Sequence, residues 1–313
     1  MTLLQVSDEV QTALAEGKPV VALESTIVAH GLPWPENLDV GRALEEEVRR
    51  HGAVPATVAV VGGHIVVGID GATLEAMARA SGPDRWRKAG VADLGLLCAR
   101  GESGATTVSA TAFAAARAGV RVFATGGIGG VHRGDEGDVS SDLTTLSREP
   151  VAVVSAGCKS ILDLPRTLEM LETLAVPVIG VRTNEFPAFY TYTSGLPLEH
   201  RIDSPDECAR VCHAHWSLGQ AGMLVANPIP KAHALDADLI LRAVDEALAD
   251  ATRNNIRGKA LTPHLLAFVS RATQKRSLAA NRILALNNAS FGAELALALS
   301  QLPPLPTQRP AQP

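Results

Sequence analysis

Lys159 has the residue type and the position of a nucleophile. It follows the apolar and small residues 151–156, which predict a buried strand, so it lies beyond the carboxyl end of that strand. Lysine is scarce here, since only six of the 28 basic residues are lysines. A lysine amine can lose its proton and attack a carbonyl or anomeric carbon, which a guanidinium cannot do. An ammonium that binds a phosphate or pairs with a carboxylate is an equally open interpretation.

Glu24 occupies a similar position in the first half of the chain. It follows the apolar run at residues 20–23, where a parallel sheet opens its ligand crevice. A carboxyl group that is partly removed from water holds its proton more tightly and can transfer protons near neutral pH. Glu24 is therefore a candidate acid, and a helix-capping or ion-paired glutamate is an equally open interpretation.

An acidic loop follows a glycine-rich segment. Residues 135–142 carry four carboxylates and two hydroxyls, namely Asp135, Glu136, Asp138, Asp142, Ser140 and Ser141. Oxygen-rich clusters suit hard divalent ions such as Mg²⁺ or Mn²⁺, and a solvated acidic turn is the alternative that this segment alone favours.

Two segments could hold an anion. The glycines at 126–130 follow a predicted strand but match neither dinucleotide nor P-loop spacing, because His132 stands where a glycine is required. Consecutive glycines nevertheless allow close approach of a ligand to backbone N–H groups. Residues 101–108 lead into a predicted helix from Ser109, whose N-terminus suits a phosphate, and Lys88 could add a charge there.

The composition excludes several classes of protein. A formal charge of −5 without a long basic stretch argues against nucleic-acid binding and favours a small-molecule substrate. The N-terminus does not resemble a signal peptide, and no run reaches the roughly 18 apolar residues of a membrane span, so we expect a cytoplasmic protein without membrane contact. Cys208, Cys212 and His215 could suggest a metal site, but core-facing thiols on an amphipathic helix are the favoured interpretation.

The elements that must position these residues alternate between strand and helix. Strands are predicted at 20–23, 57–61, 64–69, 94–98, 120–124, 151–155, 178–181 and 223–226. Helices are predicted at 37–51, 73–80, 109–118, 166–174, 205–218, 237–252, 263–271 and 277–300, with caps at Ser204 and Asp236. This order predicts a three-layer α/β/α fold whose mostly parallel or mixed central sheet is covered by helices. Residues 1–301 are expected to form a single catalytic domain, and the proline-rich residues 302–313 a disordered tail.

The candidate segments together resemble one family. They are LESTIVAHGLP at 23–33, GATTV at 104–108, FATGGIGGVHR at 123–133, GCKSILD at 157–163, FPAFY at 186–190 and VANPIP at 225–230. This ordered set, which spans about residues 20–299, resembles the pseudouridine-5′-phosphate glycosidase family, also described as indigoidine synthase A-like.

The resemblance implies a role for each matching position. It implies that Glu24 is the proton donor, that Lys159 is the nucleophile and that Asp138 anchors one largely water-coordinated Mn²⁺ per subunit. Positions for the sugar phosphate and base match Lys88, Val108, Ser140, Ser141, Asp142 and Asn281. The spacing between His132 and Asp138 departs from the family pattern, which leaves Asp135 or Asp142 as alternative metal ligands. Cys158 stands where the family pattern has a small residue.

The resemblance further implies a reaction and an assembly. The family cleaves the C–C glycosidic bond of pseudouridine 5′-phosphate reversibly to uracil and ribose 5-phosphate through a lysine adduct, and it forms homotrimers. A Schiff-base lyase of the aldolase type acting on a pentose phosphate is the leading alternative, because a strand-end amine beside a phosphate pocket serves that chemistry too. A non-catalytic sugar-phosphate-binding or regulatory protein is the second alternative, in which Lys159 only neutralises phosphate.

Overall fold

The structure is a computed structural model that describes residues 2–134, 137–256, 258 and 261–305. Its strands are β1 (Leu4–Val6), β2 (Val20–Leu23), β3 (Val54–Val61), β4 (His64–Val67), β5 (Arg87–Ala89), β6 (Gly104–Thr106), β7 (Val122–Ala124), β8 (Val131–His132), β9 (Ala152–Ser155), β10 (Leu162–Asp163), β11 (Val178–Val181), β12 (His200–Ile202) and β13 (Met223–Ala226). Its helices are α1 (Asp8–Ala15), α2 (Glu36–Arg50), α3 (Gly71–Arg79), α4 (Leu94–Arg100), α5 (Val108–Ala118), α6 (Ser141–Leu146), α7 (Leu164–Thr173), α8 (Pro205–Ser217), α9 (Ala237–Arg253), α10 (Leu261–Ala272) and α11 (Arg276–Ser300).

A mixed, mostly parallel sheet forms the central layer. Its strand order is β1-β4-β3-β2-β7-β9-β13-β11-β12, with β6 also paired to β3 and β5 to β6. The pairs β3–β4 and β3–β6 are antiparallel and the other pairs of this sheet are parallel. Every residue of β2, β9 and β13 is buried, as the continuous apolar runs require of strands covered on both faces. The predicted three-layer α/β/α architecture is confirmed.

Helices cover both faces of the sheet. Helix α11 packs against β2, β7 and β9 with α2 and α8 beside it, and α5 packs against β2, β3 and β7 next to α6. Gly292 allows the close approach of α11, because a Cβ there would lie 3.2 Å from the Cβ of Ala124. By length and composition alone α11 could cross a membrane, but its packing on the sheet accounts for its apolar character as a core helix.

One predicted strand is wrong. Residues 94–98 belong to helix α4, which ends at Gly101 in a left-handed conformation with φ +66°. Leu94 and Leu97 are buried whereas Leu96 is 57% exposed, which is a helical rather than an alternating pattern. The run misled because it is short and apolar, although its leucines, glycine and cysteine lack the β-branching typical of strands. The strands predicted at 20–23, 178–181 and 223–226 have the predicted ends, and the other predicted strands and helices are present with shifted ends. The short elements β1, β5, β6, β8, β10, β12, α1 and α6 were not predicted.

Two cysteines of α8 and two leucines after α11 pack in or against the core. Cys208 and Cys212 are buried in α8, and the Cys212 thiol lies 3.3 Å from the Met223 sulfur, so core-facing thiols are confirmed. Leu302 and Leu305 pack against the core, while residues 306–313, which include most of the predicted tail, lie outside the described residues.

Candidate active site

One cavity of about 440 Å³ collects the candidate residues. It opens at the carboxyl ends of β2, β7 and β9, which are neighbours in the sheet. It is lined by all nine residues to which the family resemblance gives a role, namely Glu24, Lys88, Val108, Asp138, Ser140, Ser141, Asp142, Lys159 and Asn281. The structure therefore brings together residues that are separated by up to 257 positions in the chain.

Two threonine hydroxyls hold the carboxyl group of Glu24. Thr26 donates to Oε2 and Thr125 donates to Oε1, so each oxygen of the carboxyl has a donor. Thr125 follows β7, 101 positions further along the chain than Glu24. Thr125 was not predicted as a site residue, and its place directly after a strand, at the start of the glycine-rich segment, was the available signal.

A buried hydroxyl network fixes the backbone that carries Glu24. The Ser25 hydroxyl donates to the Val58 carbonyl at 2.6 Å and accepts from the Thr106 amide at 2.9 Å. The Thr106 hydroxyl also donates to the Val58 carbonyl at 2.6 Å, and Thr111 in α5 donates to Thr106 at 2.9 Å. These bonds join the ends of β2 and β6 to β3 and α5, so the position of Glu24 is set by several elements at once.

Lys159 emerges from a tightly bonded turn after β9. Its amide donates to the Ile128 carbonyl at 3.1 Å, and its carbonyl accepts from the Leu162 amide at 3.0 Å. Gly157 precedes it with φ +79°, and a Cβ there would lie 2.2 Å from the Pro187 carbonyl oxygen, so only glycine fits. The turn holds the lysine backbone against the glycine-rich segment.

The neighbouring Cys158 is not a competing nucleophile. Burial raises the pKa of this fully buried thiol to about 12, so it stays protonated near neutral pH. A buried thiol packs like a small apolar side chain, so cysteine can replace the small residue of the family pattern at this position.

Part of the glycine-rich segment is committed to close packing and to hydrogen bonds within the protein. A Cβ on Gly127 would lie 2.6 Å from the Phe189 ring, and one on Gly129 would lie 2.4 Å from the Ser140 hydroxyl. The amides of Ile128, Gly129 and Val131 donate to Gly157, Asp142 and Thr167. The expectation that these amides are available to a ligand is wrong for these three positions, because protein acceptors already occupy them.

Asp142 connects two backbone segments. Its Oδ1 accepts from the Ser109 amide in the first turn of α5, and its Oδ2 accepts from the Gly129 amide, both at 2.8 Å. The residue is buried, and a carboxylate bonded to a helix N-terminus in this way is stabilised by the helix dipole. Asp142 lines the cavity, and each of its oxygens accepts one backbone amide, so the carboxylate is held in place by the protein on both sides.

Lys88 and the N-terminus of α5 form one end of the cavity. Lys88 lies in β5 opposite Ala105 of β6, which continues directly into Thr107 and Val108 at the start of α5. The Ser141 hydroxyl donates to the Ser109 hydroxyl at 3.1 Å and so joins this end to the acidic loop. Lys88 and Val108, the first residue of α5, thus line the same cavity, and a cation together with a helix N-terminus suits a phosphate.

Asp138 stands at the exposed side of the cavity. Its side chain is 33% exposed, and its Oδ2 lies 3.9 Å from the His132 Nε2. Among the described residues no group of three or more His, Cys, Asp or Glu side chains could hold a metal ion. A single partly exposed carboxylate suits only an ion that keeps most of its water ligands. Asp135, the other alternative ligand, lies outside the described residues.

Helix α11 supplies Asn281 and a second asparagine that the sequence analysis missed. Asn281 lines the cavity, where a Cβ on Gly126 would lie 3.3 Å from its Oδ1. The buried Asn288 donates to the Thr125 carbonyl at 2.8 Å and accepts from Asn227 at 3.0 Å. Polar side chains within an otherwise apolar helix were the signal that could have identified Asn288.

His30 is a further cavity residue to which the sequence analysis gave no role. It lies in the turn of residues 27–31 that follows Glu24, and its Nε2 is buried without a hydrogen-bond partner among the described residues. Burial lowers the pKa of His30 to about 4, with further lowering by the charges of Arg85 and Lys88. The imidazole is therefore neutral at physiological pH.

Glu24, Lys159 and Lys88 line one cavity. A carboxyl group and an amine in one cavity define an enzyme site that can combine acid and nucleophilic catalysis. A family model described as "Indigoidine synthase A like protein" matches residues 9–298, and the chain belongs to this family. The chain is 52% identical over 302 residues to a pseudouridine-5′-phosphate glycosidase of Caldanaerobacter subterraneus subsp. tengcongensis, covering 96% of this chain and 97% of the relative. It is 49% identical to a protein of the same name from Arabidopsis thaliana, covering 96% and 92%. It is an enzyme of this glycosidase family.

Two solved structures agree with this family assignment. The prealnumycin C-glycosynthase AlnA in complex with ribulose 5-phosphate superimposes with a TM-score of 0.88 at 40% identity, covering 96% of this chain and 98% of that one. An indigoidine synthase A-like protein from Thermotoga maritima superimposes with a TM-score of 0.87 at 36% identity, covering 96% and 97%. Small-molecule substrate binding is thus supported by both the family and a sugar-phosphate complex.

Proposed function

We propose that this enzyme reversibly cleaves the C–C glycosidic bond of pseudouridine 5′-phosphate to uracil and ribose 5-phosphate through a covalent lysine–ribose adduct. The observation that carries the proposal is the shared cavity of Glu24, Lys159 and Lys88, with Glu24 and Lys159 at the ends of β2 and β9 on either side of β7. The names of the relatives support the choice of substrate.

The bond to be broken explains why a nucleophilic amine is needed. Uracil is joined to ribose through carbon, so the base cannot depart as a stabilised nitrogen anion. An amine attached to C1′ can supply the electron pair that expels the base, because nitrogen stabilises the resulting cation as an iminium. Lys159 follows β9 and lines the same cavity as Glu24, so its amine is the proposed nucleophile.

The reaction begins with opening of the sugar ring. Glu24 donates a proton to the ribose ring oxygen while the neutral amine of Lys159 adds to C1′, so the C1′–N bond forms as the C1′–O bond breaks. Protonation of uracil C5 then allows the C–C bond to break, and its electrons stay with the base. The iminium left on Lys159 takes up one water and releases ribose 5-phosphate. Thr26 and Thr125, which donate to the Glu24 carboxyl, orient it for the first step.

The end of the cavity at α5 is the proposed phosphate site. Lys88, Ser140 and Ser141 lie with Val108 around the N-terminus of that helix. Asp142 and Asn281 match the remaining substrate positions, and Asp142 acts there by fixing the α5 and Gly129 backbone. A dianionic phosphate at this end would be stabilised by Lys88 and the helix dipole.

Asp138 is the proposed ligand of one Mn²⁺ per subunit. Its partly exposed carboxylate leaves room for water ligands, whereas both oxygens of Asp142 accept backbone amides. When bound, the ion would supply positive charge to the phosphorylated substrate as a Lewis acid. We further propose that the enzyme is a cytoplasmic homotrimer, as the family resemblance implies.

The test is the reverse reaction followed by mass spectrometry. Uracil, ribose 5-phosphate and Mn²⁺ are incubated with the native enzyme or with Lys159→Ala. The expected product is a condensation product that lacks one water, is stable to acid hydrolysis as a C-glycoside should be, and is absent with the variant. Folded native enzyme that makes no such product would contradict the proposal.

Two other functions use the same residues and remain distinguishable. A Schiff-base lyase of the aldolase type would act on a pentose phosphate without any pyrimidine. A sugar-phosphate-binding protein would tolerate Lys159→Arg, because arginine keeps the charge and loses only the nucleophile. The buried hydroxyl network around Glu24 favours the glycosidase, since a binding protein has no need of an oriented proton donor.

A further inference from the structure

Helix α11 buries an asparagine against the strand end that carries Thr125. The NH₂ group of Asn288 donates to the Thr125 carbonyl at 2.8 Å and to the Gly126 carbonyl at 3.3 Å. Its Oδ1 accepts from the side chain of Asn227 at 3.0 Å. Two carbonyl oxygens on one side of the amide require the NH₂ group there, so the orientation of this side chain is fixed by its partners. Asn288 is 0% exposed, so these bonds form away from water.

Asn227 ties the same point to two further strands. It follows β13, and its backbone amide donates to the Ser155 carbonyl at the end of β9, at 2.8 Å. Its side chain also donates to the Asn287 carbonyl of α11 at 3.3 Å. The two asparagines Asn227 and Asn288 therefore join α11 to the carboxyl ends of β7, β9 and β13, which are neighbours in the sheet.

Thr125 connects this network to the carboxyl group of Glu24. Its amide donates to the Val154 carbonyl at 3.0 Å, its carbonyl accepts from Asn288, and its hydroxyl donates to Glu24. The first two bonds hold the backbone of Thr125, and the third uses that backbone to hold one carboxyl oxygen. Because a threonine side chain is stiff about its first torsion angle, a shift of the backbone carries the hydroxyl with it.

The bond to Thr125 is the shorter of the two that Asn288 donates. The Gly126 carbonyl also accepts from the Ala156 amide at 3.0 Å, so it keeps a donor if Asn288 is changed. A buried carbonyl that loses its donor is costly, and the backbone around it shifts toward another one. The Thr125 backbone is therefore the part of the site that depends on Asn288.

We propose that Asn288 is a positioning residue for the acid step, because it holds the Thr125 backbone so that the Thr125 hydroxyl stays on the Glu24 carboxyl. Asn288 is not among the described residues that line the cavity, so it acts through Thr125 rather than on the substrate. The proton passes between Glu24 and the ribose ring oxygen, and Asn288 takes no part in the transfer. This inference rests on the proposed function, in which Glu24 is the proton donor.

The first test replaces Asn288 by a side chain of the same branched shape. Asn288→Leu removes the donor, and we expect kcat for uracil and ribose 5-phosphate to fall about tenfold while KM changes by less than about twofold. Trp216→Phe is the matched control, since the Trp216 indole donates to the buried end of another segment, the Ala221 carbonyl, at 2.9 Å, and neither residue lines the cavity. An equal loss of kcat in Trp216→Phe would overturn the proposal, because general destabilisation would then explain both.

A double-mutant cycle tests the route through Thr125. In Thr125→Val the hydroxyl that Asn288 is proposed to position is already missing, so adding Asn288→Leu should lower kcat by less than about twofold further. A structural effect elsewhere in the fold would instead lower kcat by the same factor in both backgrounds. Losses that multiply in this way would overturn the proposal.

Amide hydrogen exchange measured by NMR separates this inference from the proposed reaction. In Asn288→Leu the Thr125 amide should exchange at least about tenfold faster relative to the Leu224 amide, which donates to the Pro177 carbonyl, whereas Trp216→Phe should leave this ratio unchanged. Product formation by the native enzyme together with an unchanged ratio in Asn288→Leu would refute only the role of Asn288. A raised ratio with no product from the native enzyme would confirm that Asn288 holds Thr125 and refute the proposed reaction.

Discussion

The active-site cavity has two halves that are held in place in different ways. The strand-end half contains Glu24 and Lys159. The Ser25 hydroxyl next to Glu24 accepts from the Thr106 amide, and the Lys159 amide donates to the Ile128 carbonyl in the glycine-rich segment. The loop half comprises the described residues of 132–142, which change within four positions from the partly exposed Asp138 to the buried Asp142.

The difference shows that a residue type alone does not set a role. Asp138 and Asp142 are both acidic and both line the cavity. Asp142 accepts two backbone amides and so acts as a structural acceptor, whereas the Asp138 side chain retains access to water and is open to a hydrated ion. What separates them is burial and the number of amides that point at each carboxylate.

Lys159→Ala should have the largest effect on activity. Removal of the nucleophile should lower kcat by at least about 10³-fold. Borohydride reduction in the presence of ribose 5-phosphate should add mass to Lys159 of the native enzyme and none to the variant. Added mass at another lysine, such as Lys88, would show that Lys159 is not the nucleophile.

Glu24→Gln should lower kcat by about 10²–10⁴-fold, the usual contribution of a general acid. The matched control is Thr125→Val, which keeps the carboxyl and removes one of its hydroxyl donors, and it should cost much less. Steady-state kinetics of both variants provide the measurement. A larger loss in Thr125→Val than in Glu24→Gln would show that the carboxyl is not the proton donor.

Asp138→Asn should weaken Mn²⁺ binding at least about tenfold, because the exposed carboxylate is the proposed protein ligand. Its free energy of unfolding without metal should change by no more than about 0.5 kcal/mol, as for other partly exposed positions. Calorimetric titration with Mn²⁺ and urea unfolding measure the two quantities. Unchanged Mn²⁺ affinity in the variant would remove Asp138 from the proposed site.

Asp142→Ala, unlike Asp138→Asn, should lower the free energy of unfolding. It leaves the amides of Ser109 and Gly129 without their acceptor, and we expect a loss of about 2–4 kcal/mol in the free energy of unfolding. Urea unfolding in the absence of metal measures it, with Asp138→Asn as the control. Equal free energies of unfolding for Asp142→Ala and Asp138→Asn would show that the two carboxylates do not differ in structural role.

The smallest expected effect concerns pH and His30. The folded-state pKa of His30 is about 4, below the ordinary histidine pKa of 6.5, so the unfolded chain takes up a proton first as the pH falls. The neutral state of His30 therefore does not lower the free energy of unfolding above pH 6.5, and it lowers that free energy progressively as the pH falls from about 6.5 to 4. The decrease in the free energy of unfolding over this range should be smaller in His30→Gln, and equal decreases would contradict the shift.

Much of the fold followed from local patterns. Apolar runs at β2, β9, β11 and β13 and the periodicity of the longer helices were sufficient, because buried strands and amphipathic helices carry their signal within a few residues. The pattern failed at α4, where a run too short to show its period was assigned to a strand. It also missed the short strands β5 and β6, which exist only through pairing with each other and with β3.

The sequence by itself determined that an amine and a carboxyl follow buried strands and that the chain resembles one family. Both conclusions depend on neighbouring residues and on their order along the chain. Only the tertiary structure decided which groups meet: Thr125 reaches Glu24 across 101 positions, and Asn288 reaches the Thr125 carbonyl across 163. The tertiary structure also decided that Asp142 is buried against two backbone amides while Asp138 stays partly exposed. Such contacts are set by strand order and by how closely α11 and α5 approach the sheet, and local periodicity does not encode these distances.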